Sequence, residues 1–403
     1  MAKTIAVIGA LDTKGDEFAF VKREIERRGH HVVMVDTGVV GQPAFKPDVA
    51  AQQIADAGGT SLQQLRETAD RGQAMNTMAD GVAKVVEQLH RDGKIHAVLG
   101  MGGGAGTALG TSAMRSLPVG VPKVMVSTVA SGDTSGYVGT RDVVMIPSVV
   151  DVAGINRISA RIYANAVGAV VGMVETVAPP VDEKPMVAMS MFGNTTPIAE
   201  RCRQTMESHG YEVLVFHATG TGGQSMEKLA ENGFVRGCID VTTTEVCDLL
   251  MGGVFSAGEA RLDTLATAGL PYVGSCGALD MVNFGAKETI PEKYRARNIY
   301  VHNPQVSLMR ANAAENRAIG EWIGNKLNTF TGPVRFLLPE KGVSLIDAPD
   351  MPFHDPAADA ALFEALEATL IATEARQLVR CPLHINDAEF AAALVAAWRD
   401  IAH

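Results

Sequence analysis

Aromatic residues are scarce in this chain, at 5% of 403 positions, so its core has to be built mainly from aliphatic side chains. Cysteine is scarcer still. Cys202, Cys238, Cys247, Cys276 and Cys381 show no C-x-x-C spacing, which argues against a zinc ribbon or a disulfide framework and points to buried thiols in a reducing compartment. Basic side chains are outnumbered, 35 Lys and Arg against 45 Asp and Glu, for a net charge of −10. A surface made for nucleic-acid phosphates is therefore not expected. No apolar run reaches the ~20 residues of a membrane span, and no signal-peptide pattern precedes the first strand. The expectation is a cytoplasmic protein with neither a membrane nor a nucleic-acid partner. A Walker A order of Gly-Lys-Ser/Thr is missing, and the first turn carries Gly9 alone before Gly15. That excludes a P-loop and makes a poor dinucleotide fingerprint.

What is present is a regular alternation of apolar runs and helical patterns, the signature of α/β architecture. Strands are predicted at 4–8, 31–36, 97–99, 123–126 and 143–146, with helices at 16–28, 70–91, just after residue 106, and at 156–177. Ala178-Pro179-Pro180-Val181-Asp182-Glu183-Lys184-Pro185 clusters prolines and charges and marks a domain boundary. Beyond it, strands are predicted at 186–191, 212–216, 238–241, 271–273, 334–338 and 377–380, and helices at 306–327, 355–373 and 387–401. The expected fold is two Rossmann-like lobes with mainly parallel sheets, residues 1–180 and 185–403, with a cleft between them.

Gly102-Gly103-Gly104-Ala105-Gly106-Thr107 is the most informative stretch. It joins an apolar run to a helix, and a glycine-dense turn there lets backbone N–H groups and the helix dipole meet an anion. Two more runs end in comparable residues: Gly9, Asp12, Thr13 and Lys14 after the first strand, and Thr128, Ser131 and Gly132 after the fourth. Together they make one rim of a parallel sheet, where ligands of open α/β folds sit. Lys14 offers a charge for distal phosphates, Asp12 could orient a ribose hydroxyl or magnesium, Asp36 suits a ribose, and Asp16 is assigned to capping. A plain strand-to-helix crossover and an Asp–Lys surface pair are the alternatives.

In the second half His217, Glu245, Asp280, Glu340 and His384 all fall at or just beyond strand ends, where acid–base groups are useful. His217 and His384 are expected to share a rim. Each could instead cap its own helix. Cys276 reads as a buried thiol rather than a nucleophile, and His302-Asn303-Pro304-Gln305 reads as a turn before a long helix. Asp347, Asp350, His354 and Asp355 read as solvated loop residues without metal-ligand spacing.

The glycine loop, Pro118-Val119-Gly120-Val121-Pro122-Lys123-Val124 and Ser127-Thr128-Val129-Ala130-Ser131-Gly132 resemble the N-terminal ATP-binding half of the tomato mosaic virus resistance protein family. So do Val149-Val150-Asp151 and residues 216–223, 242–246, 277–285, 339–343 and 384–390. The similarity runs from Ile8 to Trp398. It implies two α/β subdomains, the first binding ATP with magnesium, in a homodimer. The chain departs from the plant pattern in lacking a second, barrel-like half similar to PEP-mutase-type enzymes, which is expected as a separate protein. The resulting expectation is a Mg-ATP-dependent enzyme of small-molecule metabolism. A non-catalytic, nucleotide-dependent protein-binding module is the alternative, and a dinucleotide-dependent oxidoreductase trails both.

Overall fold

The computed structural model describes residues 2–68, 70–178, 180 and 183–402; within the proline-rich boundary segment, Pro179, Val181 and Asp182 lie outside the described residues. The chain divides into two compact units, Met1–Pro180 and Val181–His403.

The first unit runs β1 (Thr4–Gly9), α1 (Gly15–Glu26), β2 (His31–Asp36), α2 (Ala51–Ala57), α3 (Leu62–Thr68) and α4 (Arg71–Arg91). It continues with β3 (Ala97–Gly102), α5 (Gly104–Ser116), β4 (Lys123–Ser127), α6 (Ser135–Val138), β5 (Val144–Pro147) and α7 (Arg157–Glu175). The five strands form one parallel sheet in the order β2-β1-β3-β4-β5. β1 and β3 are apolar along their length and almost wholly buried, as interior strands covered on both faces must be. One face packs on α1 and α7 through Phe18, Val21, Tyr163 and Val167, the other on α2 to α5 through Ile54, Val82, Leu109 and Met114.

Caps set several helix starts. Asp70 accepts from the backbone N–H groups of Gly72 and Gln73 at 2.8 and 3.0 Å, and Asn156 does the same for Ile158 and Ser159 at 2.9 and 3.0 Å. Asp16 does not cap. The helix opens one residue earlier, and Asp16 sits in its first turn, facing the positive end of the dipole.

The second unit contains β6 (Met186–Met191), α8 (Thr196–Ser208), β7 (Glu212–His217), α9 (Thr221–Glu231), β8 (Cys238–Thr242), α10 (Glu245–Met251) and α11 (Asp263–Thr267). Then come β9 (Tyr272–Gly277), β10 (Met281–Phe284), β11 (Ile299–Asn303), β12 (Val306–Arg310), α12 (Ala313–Leu327), β13 (Val334–Pro339), α13 (Pro356–Thr369), β14 (Arg376–Cys381) and α14 (Ala388–Ile401). Six strands form a parallel sheet ordered β14-β13-β9-β8-β6-β7. In both units the chain lays down a strand, adds its neighbour on one side, then crosses back to the other side and continues outward. Each sheet therefore has a switch point, between β1 and β3 and between β6 and β8, where successive connections diverge to opposite faces.

The second unit also carries a three-stranded antiparallel sheet, β10-β12-β11, that the sequence reading does not contain. The predicted helix 306–327 is two elements. Val306–Arg310 is a strand, and the helix begins only at Ala313, after Asn312 has capped it by accepting from Glu315 N–H at 2.9 Å. Beneath this small sheet Phe192, Met281, Leu308, Ile346 and Phe353 form a separate apolar cluster.

Candidate functional site

At the first unit's switch point the loops after β1, β2 and β3 surround a pocket of about 640 Å³. Ala10, Asp12 and Thr13 form one wall, Thr37, Gly38, Val39 and Val40 another, and the first turns of α5 a third, through Ala105, Gly106 and Leu109. Leu65 and Arg66 of α3 and Ala74, Met75 and Met78 of α4 close the apolar side.

Polar groups around it are mostly spoken for. Asp36 is buried and accepts from Leu11 N–H at 3.0 Å and Gly38 N–H at 2.9 Å, so it braces the first loop instead of reaching outward. Burial raises its pKa despite those bonds. Asp12 holds the next loop, its Oδ2 accepting from Val40 and Gly41 N–H at 3.0 and 2.9 Å, while its Oδ1 has no partner among the described residues. Arg66 donates to the carbonyls of Val39 and Gly41, at 2.5 and 2.8 Å.

The glycines separate into two kinds. A side chain at Gly9 would run into the Phe18 ring, at 1.7 Å, and one at Gly102 into Gly106 Cα, at 2.8 Å. One at Gly106 would crowd the Met101 carbonyl at 3.2 Å, so internal packing accounts for all three. Gly103 and Gly104 are different. The nearest atoms to a Cβ there would be Thr128 Oγ1 at 3.7 Å and Tyr137 OH at 3.9 Å, ordinary contacts that would permit alanine. Gly103 is the N-cap of α5 and offers no side chain to its first N–H groups.

Two of the residues proposed for phosphate contact turn inward. Thr107 is fully buried; its hydroxyl bonds the Gly103 carbonyl at 2.8 Å and Ser127 Oγ at 2.7 Å, tying the start of α5 to β4. The Lys14 ammonium donates to the Val152 carbonyl, and Lys14 does not line the pocket. Thr128 is exposed with its N–H on the Gly102 carbonyl at 3.2 Å, and Ser131 and Gly132 lie exposed in the turn beyond it.

The five proposed acid–base residues do not converge. Glu245 is buried in a closed ion cluster. Arg261 donates to Glu245 at 2.8 Å, to Glu227 at 3.0 Å and to both oxygens of Asp240 at 3.0 and 2.7 Å. Glu245 Oε1 also accepts from Gly220 and Gly223 N–H at 2.7 and 3.1 Å, which leaves nothing for a substrate. Glu340 lies at the surface in an ion pair with Arg380 at 2.9 Å. His384 is committed at both ring nitrogens: Nδ1 accepts from Asn386 N–H at 3.1 Å, and Nε2 meets the Ser344 carbonyl at 3.0 Å.

Asp280 is fully buried, accepting from Ser344 Oγ at 2.7 Å. It belongs to a second cluster in which Arg310 meets Asp359 at 2.7 Å and Asp347 at 3.4 Å. Asp347, read from the sequence as solvated, is thus a core group. Its partner Arg310 and the buried Asp359 carry no signal in the sequence, because carboxylates in a loop give no sign of an arginine on a distant strand.

Of the five, His217 lines a pocket, and its companion there is His302 rather than His384. β7 and β14, which precede the two expected partners, are the opposite edges of the six-stranded sheet. His302 lies on the antiparallel sheet, not in a helix-leading turn. Asn303-Pro304 between two alternating runs was the available hairpin signal. All five cysteines are free and buried, and burial pushes the Cys276 thiol well above its ordinary range, so it is no nucleophile.

Two doubly wound parallel sheets, one with a rim pocket at its switch point, place the chain among two-unit Rossmann-like α/β proteins. It belongs to the uncharacterised protein family UPF0261, whose N-terminal domain model matches residues 3–179 and C-terminal domain model residues 184–402. A UPF0261 protein of Mesorhizobium japonicum is 50% identical over 400 residues, 99% of each chain. The ToMV resistance protein Tm-1 of Solanum lycopersicum is 41% identical, over 98% of this chain but 55% of the plant protein. A solved UDP-N-acetylglucosamine 2-epimerase from Rickettsia bellii aligns over 68% of this chain and 74% of its own, at 12% identity and a TM-score of 0.25. No helix among the described residues is long and apolar enough to cross a membrane.

Proposed function

We propose that the first unit binds ATP with magnesium at its switch-point pocket. The observation that carries this reading is the pair Gly103 and Gly104: nothing inside the fold requires glycine there, yet both sit where α5 presents uncapped N–H groups. Bare backbone at a helix start is what a phosphate chain needs for close approach. The apolar side formed by Leu65, Met75, Met78 and Leu109 suits a planar base. The unpartnered Asp12 Oδ1, with the Thr13 hydroxyl beside it, suits a cation that takes one or two protein oxygens and completes its shell from phosphates and water. When bound, the nucleotide supplies a transferable phosphoryl group; the chain's own part is to hold it by backbone N–H groups and Asp12.

The scatter of Glu245, Glu340 and His384 favours, as a second reading, a nucleotide-dependent binding module over an enzyme built on those residues. We further propose a separate barrel-like partner protein, because the plant relative extends well beyond the region matched here. Calorimetric titration tests the site. ATP should bind in the presence of magnesium, and Gly103→Val should abolish binding while leaving the melting curve in place. Unchanged ATP affinity in the folded variant would remove the proposal. Lys14→Ala should leave ATP affinity within about twofold, since its ammonium serves Val152.

A further inference from the structure

The second unit has its own small pocket, about 230 Å³, at the carboxyl ends of β6 and β7. Phe192 and Phe255 line it, their rings 6.3 Å apart in an edge-to-face arrangement, with His217 packed edge-on to Phe192 at 5.4 Å. His302 and Asn303 come from the antiparallel sheet, and Asn194 from the loop after β6. Several features mark this as a built site rather than a surface dimple.

The first is the state of the histidines. His30, His90, His96, His209 and His384 each have a ring nitrogen bonded to another protein group. Among the described histidines His31, His217, His302 and His354 have no such bond, and two of these, His217 and His302, line one cavity. A second feature is backbone geometry. The β11–β12 ladder slips between Val301 and Asn303, leaving His302 as the extra residue of a bulge. Bulges re-aim a side chain and are common beside binding sites. The Asn194 main chain is also pinned, its carbonyl accepting from Leu345 N–H and Asn386 Nδ2, each at 3.1 Å, so that wall is held before any ligand arrives.

The lining names a ligand class. No lysine, arginine, aspartate or glutamate is among the lining residues, so a phosphate or carboxylate would lose its hydration with no fixed opposite charge to replace it. Imidazole and carboxamide groups each combine donor and acceptor capacity, the pattern that hydroxyl groups match. Phenylalanine rings, negative on their faces, suit the C–H side of a small saturated ring, and Phe192 and Phe255 are both in the lining. We infer that this pocket binds an uncharged polyhydroxylated molecule of about one ring, a monosaccharide or cyclic polyol, with His217 and His302 bonding its hydroxyls. This inference does not depend on the nucleotide reading, which concerns the other unit.

Saturation-transfer NMR on the full chain tests it, with D-glucose, D-ribose and myo-inositol as probes and inorganic phosphate and acetate as charged comparators. At least one neutral probe should bind saturably, and His302→Ala and His217→Leu should each weaken it about tenfold, the loss of one good hydrogen bond. Both side chains are exposed, so the melting temperature should not move. A milder His302→Gln change, which keeps a donor and an acceptor, should retain part of the affinity. No binding by any of the three neutral probes, tighter binding of phosphate or acetate, or affinity unchanged in both His302→Ala and His217→Leu would each overturn the inference.

Discussion

Arg261 is buried among three carboxylates, Asp240, Glu227 and Glu245, and Tyr272 adds its hydroxyl to Asp240 at 2.9 Å. One guanidinium cannot neutralise three carboxylates, and burial raises the pKa of both Glu227 and Glu245. The two directions of mutation therefore differ. Arg261→Met leaves the acids in the core without a cation, at a cost of about 3–5 kcal/mol, or roughly 6–20 °C in melting temperature. Glu245→Gln removes a surplus negative charge and keeps an oxygen for the Gly220 and Gly223 N–H groups, but turns an NH2 towards Arg261 Nε–H, so it should cost about 1.5–3 kcal/mol, less than the arginine variant. Thermal melts of the two variants check this, and a larger loss in the glutamine variant would contradict the account. The sequence could not reveal this role. Glu245 follows a strand end whether its side chain turns to the rim or inward, and the arginine that decides the matter lies 16 residues further on.

Elements with a single strong signal were legible from the sequence. β1 and β2 follow unbroken apolar runs, and α4 and α7 start one residue past the caps Asp70 and Asn156. The antiparallel sheet was not, because Val306-Ser307-Leu308-Met309 continues into α12 without a break in apolar periodicity, and only the cap Asn312 divides them. In the candidate site, the rim and the glycine loop were legible, whereas the pocket walls from α3 and α4 come from segments with no chemical motif. The Gly/Ala/Val-rich α7 offers little apolar surface for a dimer, because Tyr163, Ala166, Val167, Val170 and Val171 pack on its own sheet. The remaining support for the proposed homodimer is the edge strand β5, with Val144 exposed on it and Val149 and Ile155 exposed in the loop that follows. Light scattering should give a dimer that Val144→Lys dissociates; a monomer mass at every concentration would end that proposal.

At the scale of the whole molecule, two sheets wound in the same order carry their buried charge unequally. The acids with large upward shifts all lie in the second unit: Asp248 at about 7, Asp280 and Asp347 at about 6, and Asp359 at about 7, with burial the leading cause in each. Asp280, Asp347 and Asp359 surround Arg310 and titrate as a set rather than singly. A carboxyl whose pKa is raised by folding takes up a proton more readily in the folded state than in the unfolded one. Its stabilising contribution is complete below the unfolded value near 4 and is lost as pH rises through 6 to 7. Net charge, already −10, acts in the same direction, since self-repulsion grows as protons leave. The second unit should therefore melt several degrees higher at pH 5.5 than at pH 8. Asp359→Asn separates the specific term from the general one. Its amide can donate to Asp347 as the protonated acid does and still offer Arg310 an oxygen. Calorimetry should show the variant as stable as the parent at pH 5.5 with a shallower decline towards pH 8. An unchanged slope would assign the decline to net charge and not to the Arg310 cluster.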